Sequence, residues 1–312
     1  MATKHVPILT REVIELLLGE NSCIKATRAP LKYVLDFTLG GGGHTRAMLD
    51  HIRLHDLPLV VVGNDQDLRV IDRAQEVFKP EILKGSLILS HQKFGQISSA
   101  YLKSLGIDPA HIAATFADLG FSSDQIEDET RGLSFMRDGP LDMRLSPELS
   151  PVPLYDKLLA ASDHELCEVF RAYGEERFCV SMSRAIKQAQ ARRTFENSTK
   201  YLSDLLVAQL PSWARRGKIH GATRAFQSLR IWVNDEMGEL ERLLMFQGTE
   251  LVAGARVGFL SFHETEDRMV KTAFKDKNLW QKCGKKPWVP GRQEITLNPR
   301  ARSAKLRVAT KL

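Results

Sequence analysis

Cysteine is scarce in this chain: Cys23, Cys167, Cys179 and Cys283 are the only four among 312 residues. No two form a C-x-x-C pair and none has a histidine at ligand spacing, which excludes a disulfide scaffold and a structural zinc site, and no metal is expected. Long hydrophobic runs are lacking too. Nothing approaches the roughly 18 apolar residues that span a bilayer, and Met1 to Pro7 carries no apolar signal core. The expectation is a cytoplasmic protein with no membrane partner. Repeats and low-complexity segments are absent. What is there, 43% hydrophobic and 26% charged residues, suffices for a full core and a second, smaller unit.

Positive charge is unevenly spread. The net charge is +6, yet from Arg268 onward thirteen basic residues face only Asp276 and Glu294, a net +11 that leaves −5 for the remainder. Basic residues segregated in this way, with Trp280 and Trp288 among them, suggest a footprint for a phosphate backbone; a merely solubilising tail is the alternative.

The segment Tyr33-Val34-Leu35-Asp36-Phe37-Thr38-Leu39-Gly40-Gly41-Gly42-Gly43-His44-Thr45 reads as a short buried strand, a glycine loop and the start of a helix. Glycine lets backbone approach a ligand, and the helix that follows directs unpaired N–H groups into the crevice. A dinucleotide fingerprint would need a third glycine where Thr45 stands, which argues against a dehydrogenase. An acid four residues before alternating glycines matches instead the first motif of Rossmann-like methyltransferases. Leu59 to Asp65 is a second apolar run, and it ends in an acid 25 residues past Gly40, close to the spacing of ribose-binding carboxylates. Asp67 could bind ribose as well, or cap the helix that starts near Leu68.

Strands are expected at 33–38, 59–65, 86–90, 112–119 and 256–262, with a closing strand at 305–309, and an opening helix at 6–18. Strands alternating with helices favour a parallel sheet covered on both faces. Helical spacing at 155–173, 175–193 and 199–210 indicates a helical insertion, and Phe226, Leu229, Val233, Met237, Leu240 and Leu244 lie at the steps of one amphipathic helix. The expected division is a first core segment at 1–126, an insertion at 127–221 and a second core segment with the basic tail at 222–312.

In an open α/β sheet, ligands sit outside the carboxyl ends of the strands, so Asp118 should face the same crevice as Gly40 and Asp65. Amino-group methyltransferases place an acceptor there with an aromatic residue three positions on, which Asp118 and Phe121 match, although Leu119-Gly120 replace the usual prolines. A turn whose Asp bonds local backbone is the structural alternative. His263, after the fifth strand, could position substrate or serve as a hydrogen-bonded spacer. The loops Arg131–Arg144 and Ser261–Arg268 are dense in ionisable groups, as solvated turns also are.

These segments, together with Tyr173-Gly174-Glu175-Glu176-Arg177, Ala222–Asn234 and Asn298–Ser303, resemble the bacterial small-subunit ribosomal RNA cytosine-N4 methyltransferases, the MraW family, over nearly the whole chain. The resemblance implies a Rossmann-like class I methyltransferase fold, α/β with a mostly parallel doubly wound sheet and an inserted all-helical domain that recognises RNA. It implies S-adenosyl-L-methionine as methyl donor, a cytidine of 16S ribosomal RNA in the small ribosomal subunit as target, and a homodimer as the assembly that suits the family. Its cofactor contacts carry over onto Gly42, Gly43, His44, Asp65, Phe94, Asp118 and Gln125, with Phe94 and Gln125 resting on the resemblance alone. Asp118, Phe121 and His263 are the candidate catalytic residues. The chain departs from the family at Gly63-Asn64, at Glu264-Thr265 and in a short stretch between Lys271 and Asn298. Methylation of another RNA or of DNA, and a non-catalytic ribosome-assembly protein, are the competing readings; intact Asp65, Asp118 and glycine loop weigh against the latter.

Overall fold

The computed structural model of the protein describes residues 7–19, 33–120, 123–215 and 220–312. Contacts divide the chain into two compact units, Met1–Gly120 with Met237–Leu312, and Phe121–Glu236.

The first unit is built on one seven-stranded sheet: β1 (Tyr33–Asp36), β2 (Val60–Asp65), β3 (Leu87–His91), β4 (Ile112–Asp118), β5 (Arg256–Ser261), β6 (Trp280–Lys282) and β7 (Lys305–Lys311). Their order is β3-β2-β1-β4-β5-β7-β6, with β7 antiparallel to both β5 and β6 and the other pairs parallel. This is a mostly parallel, doubly wound, Rossmann-like sheet. Strand β4, Ile-Ala-Ala-Thr-Phe-Ala-Asp, is buried along its length up to the final acid, as a strand covered on both faces must be. Val13, Leu17, Met48 and Ile71 cover one face, while Leu102, Leu243, Phe246 and Phe274 cover the other. The order turns around between β1 and β4, which opens a crevice at their carboxyl ends.

Three expectations change here. The opening helix spans Thr10–Leu18 and not 6–18, because Leu9 takes a left-handed backbone at φ 52°. The strand Trp280–Lys282 was not foreseen; its three residues are too few to show a period. Trp280 is 4% exposed and packs 5.3 Å from the Phe274 ring, so it belongs to the core and offers no surface to a nucleic acid.

Among its described residues the second unit is helical, including Leu154–Ala160, Asp163–Gly174, Cys179–Ala191, Thr199–Ala208 and Thr223–Asn234. Its core gathers Leu158, Phe170, Met182, Leu206, Phe226 and Leu229. The single amphipathic helix expected from Phe226 to Leu244 is two, Thr223–Asn234 and Glu236–Glu250, interrupted where Asp235 takes φ 53°. The first of the two therefore lies with the helical unit, fifteen residues beyond the boundary read from the sequence. The charged loop 131–144 is folded onto this unit: Arg144 binds Asp142 through two bonds of 2.7 Å, and buried Asn234 accepts from Leu145 N and donates to Met143 O.

Candidate active site at the carboxyl ends of the strands

Every described site residue of the first unit lies at the carboxyl end of a parallel strand or just past it. Gly40 and Gly42 hold φ of 51° and 77°, a region other residues enter only at a cost. Gly42 caps the helix Gly43–Leu54 and donates its N–H to Leu39 O at 2.7 Å. The requirement for glycine at 42 comes from the protein itself, since a Cβ there would sit 2.7 Å from the Phe78 ring. A Cβ on Gly43 would meet Pro7 at 2.8 Å. These glycines shape the loop before any ligand arrives.

Asp65 ties the loop to β2. Its Oδ2 accepts from Gly40 N at 2.8 Å and its Oδ1 from Asp67 N at 2.9 Å. Each oxygen keeps a lone-pair site, so the carboxylate can still accept two hydroxyls. Burial pushes its pKa up to about 6, against the pull of the two N–H bonds. Asp67 takes the other role considered for it: its side chain accepts from Arg69 N and caps the helix Leu68–Val77.

The sequence marked Asp36 only as a motif acid and Asn64 only as a departure from the family; together with Thr38 and Thr45 they make the bonds that carry this geometry. Asp36, fully buried, accepts from Thr45 Oγ1 at 2.7 Å and from Thr38 N at 3.2 Å, and burial raises its pKa to about 6. Thr38 Oγ1 accepts from Asp118 N at 2.6 Å, pinning the end of β4 to the loop after β1. Asn64, in place of an apolar residue, donates to Phe37 O and Gln92 O at 3.0 Å each and accepts from Ser90 Oγ at 2.8 Å, so its buried amide is satisfied. An acid at the last position of β1 and a threonine at the first turn of the following helix were the available signal.

Asp118 ends β4 with 20% of its side chain exposed. Its Oδ1 has no hydrogen-bond partner among the described residues, and its Oδ2 lies 3.6 Å from His44 Nδ1, too far for a hydrogen bond. Burial, then the neighbouring charges of Asp36 and Glu266, raise its pKa well above the ordinary 3.8. His44 Nε2 lies 3.0 Å from Ile8 O. A carbonyl can only accept, so Nε2 carries the proton of that bond, and Nδ1 is the ring atom that faces Asp118. The departures from proline after Asp118 follow from the backbone. Leu119 N donates to Leu260 O at 2.8 Å, and Gly120 has φ 104°, neither of which proline allows.

His263 caps the helix Glu264–Ala273: Nδ1 accepts from Glu266 N at 3.4 Å, and Nε2 lies 2.9 Å from Glu266 Oε1. That is the spacer's role, performed at the crevice edge. Phe94 follows β3 and packs, half-buried, against the core. Gln125 belongs to the helix Ser123–Glu127 of the second unit. Phe121 lies outside the described residues. In the tail, Lys305 pairs with Glu264 at 2.7 Å, and Arg307 binds buried Asp267 through bonds of 2.7 and 3.0 Å. Two of the tail's charges are thereby committed to the fold.

Among the described residues no helix is long and apolar enough to cross a membrane. The chain matches the MraW methylase family over residues 2–312. It is 40% identical to the ribosomal RNA small subunit methyltransferase H of Synechococcus sp. strain JA-2-3B'a(2-13), covering 99% of this chain and 92% of that protein. The protein of the same name from Cyanothece sp. strain PCC 7425 is 38% identical, covering 99% and 95%. That of Rhodopirellula baltica is 35% identical, covering 99% and 92%.

Proposed function

The chain belongs to the MraW methylase family, and on that premise we propose that it methylates the exocyclic N4 nitrogen of one cytidine in 16S ribosomal RNA of the small ribosomal subunit, with S-adenosylmethionine as donor. The observation that carries this reading is Asp118: a carboxylate at the switch point of the sheet, with an unpartnered oxygen and a raised pKa, beside a glycine loop and a ribose-type acid.

The residues present fit the cofactor. Asp65 retains lone pairs for both ribose hydroxyls, Gly42, Gly43 and His44 at the start of the helix Gly43–Leu54 would hold the donor beside it, and Phe94 would offer an apolar wall after β3. When bound, S-adenosylmethionine supplies a methyl group on positively charged sulfur, which the amine nitrogen takes. The aromatic amine is a weak nucleophile, because its lone pair is delocalised into the ring, and holding it in place supplies much of the acceleration. Asp118 Oδ1 accepts an N–H of the amine and so orients it. As the nitrogen becomes cationic, Asp118 takes up its proton, for which a raised pKa suits it better than an ordinary carboxylate. Thr38 holds the backbone of Asp118 still during this step.

Attack by ring carbon 5 would need a cysteine thiolate to add to the ring first. Asp118 ends β4, and Ser261 with Phe262 and His263 ends β5; no cysteine stands at either position. The test uses small subunits carrying cytosine tritiated at carbon 5 with labelled S-adenosylmethionine. Methyl incorporation with the tritium retained is expected, and tritium release matching methyl transfer would overturn the nitrogen mechanism. Parallel reactions with DNA and naked RNA separate the competing substrates.

A further inference from the structure

At the edge of the sheet opposite β3, strands β6 and β7 and the helix Glu264–Ala273 surround a pocket whose lining includes Lys271, Lys282, Lys286, Arg307, Phe274 and Trp288. Among the described residues no carboxylate lines it. Arg307 is committed to Asp267, but the three lysines have no hydrogen bond or ion pair among the described residues, and all three are exposed. Trp288 is half-buried, with its backbone paired to Leu306 in both directions at 2.9 Å. Its ring is seated against Gly284, where a Cβ would lie 2.8 Å from Cη2. The lining therefore offers three ammonium groups beside a fixed aromatic surface, and no side-chain acceptor balances them.

From this we propose that the pocket seats a phosphate of the RNA backbone, with the adjoining base or ribose against Trp288; the inference rests on the RNA substrate proposed above. Donors without acceptors match a group that only accepts, and lysines bind phosphate as point charges. An aromatic plane beside them suits a nucleotide better than a free inorganic anion. The pocket opens to solvent, as a site for one link of a continuous chain must. This also redraws the basic tail: Lys305 and Arg307 serve the fold, whereas Lys271, Lys282 and Lys286 serve the RNA.

The test compares the full-length protein with Lys282→Ala/Lys286→Ala, Trp288→Ala and a control, Lys79→Ala/Lys103→Ala, which removes two exposed charges elsewhere. Binding of a single-stranded RNA oligonucleotide is measured across salt concentrations, with circular dichroism confirming each fold. The pocket double variant is expected to lower the salt slope by about 0.7 for one phosphate, and to raise KM for small subunits with kcat kept. Trp288→Ala should weaken RNA binding by roughly tenfold, and Trp288→Phe should restore most of it. An unchanged slope, or an equal fall in the control, would overturn the pocket. Inorganic phosphate that competes as well as the oligonucleotide at equal concentration would overturn the RNA assignment in favour of a free-anion site. Should the parent protein bind RNA through these lysines yet methylate no ribosomal RNA, the functional reading fails and the pocket stands.

Discussion

Asp65→Asn separates two things the carboxylate does. In the parent, burial moves its pKa from 3.8 to about 6. The folded protein thus holds this proton where the unfolded chain has lost it, and stability falls as pH rises through that window. At about 1.4 kcal/mol per unit, the ionised group costs the fold about 1–2 kcal/mol at pH 5 and about 3 kcal/mol at pH 8. Asparagine never pays this cost, but it has one acceptor where two N–H groups, of Gly40 and Asp67, now point at two oxygens. One N–H is left facing a donor, at about 2 kcal/mol. The variant should therefore be slightly less stable than the parent at pH 5 and about 1 kcal/mol more stable at pH 8. Urea unfolding extrapolated to water at each pH measures this difference. Affinity for S-adenosylmethionine at pH 8 should fall at least tenfold, since the charged acceptor for the ribose is gone. A stability difference that does not move with pH would refute the desolvated carboxylate, and unchanged calorimetric affinity would refute its ribose role.

Asp118→Asn should reduce turnover by about a hundredfold to ten-thousandfold with cofactor affinity changed only a few-fold; equal losses in single-turnover rate and in affinity would make Asp118 a cofactor ligand alone. Gly42→Val should lower thermal stability and not merely cofactor binding, because its Cβ meets Phe78 and its φ is 77°. Phe78→Ala in the same chain should recover only part of the melting temperature, the backbone strain remaining; a Gly42→Val protein that melts with the parent would disprove the packing argument.

The sheet was legible because parallel strands buried on both faces must be continuous apolar runs, and Leu59–Asp65 and Ile112–Leu119 have no other plausible use. The crevice was legible for the same reason: once the strands are known, the acids that end them are placed. What stayed hidden depended on partners distant in sequence. Trp280 counts as a surface aromatic until β6 is seen to pair with β7 and cover Phe274. Lys305 and Arg307 count as RNA contacts until the helix Glu264–Ala273 brings Glu264 and Asp267 against them. The Glu264 departure from the family pattern thus has a structural role in this chain. Asp235 interrupts a perfect helical period through one backbone angle, which hydrophobic spacing does not report.

The buried acids of the crevice make one further demand. Asp36 and Asp65 both titrate near pH 6, and Asp118 is raised as well. All three shifts are led by desolvation, and neighbouring carboxylates add to those of Asp65 and Asp118. A positive charge brought into such a site favours the ionised acids and lowers their pKa values. Binding of cationic S-adenosylmethionine near pH 6 should therefore release protons, and linkage then requires its affinity to rise between pH 5 and pH 7. S-adenosylhomocysteine, which lacks the charged sulfur, is the control and should release fewer. Calorimetry at pH 6 in two buffers of different ionisation heat reads the proton count directly. Equal release by the two ligands would mean that the acids respond to groups the ligands share, such as the ammonium and the ribose hydroxyls, and not to the sulfonium, and proton uptake with S-adenosylmethionine would mean that dehydration of the acids outweighs any charge brought near them.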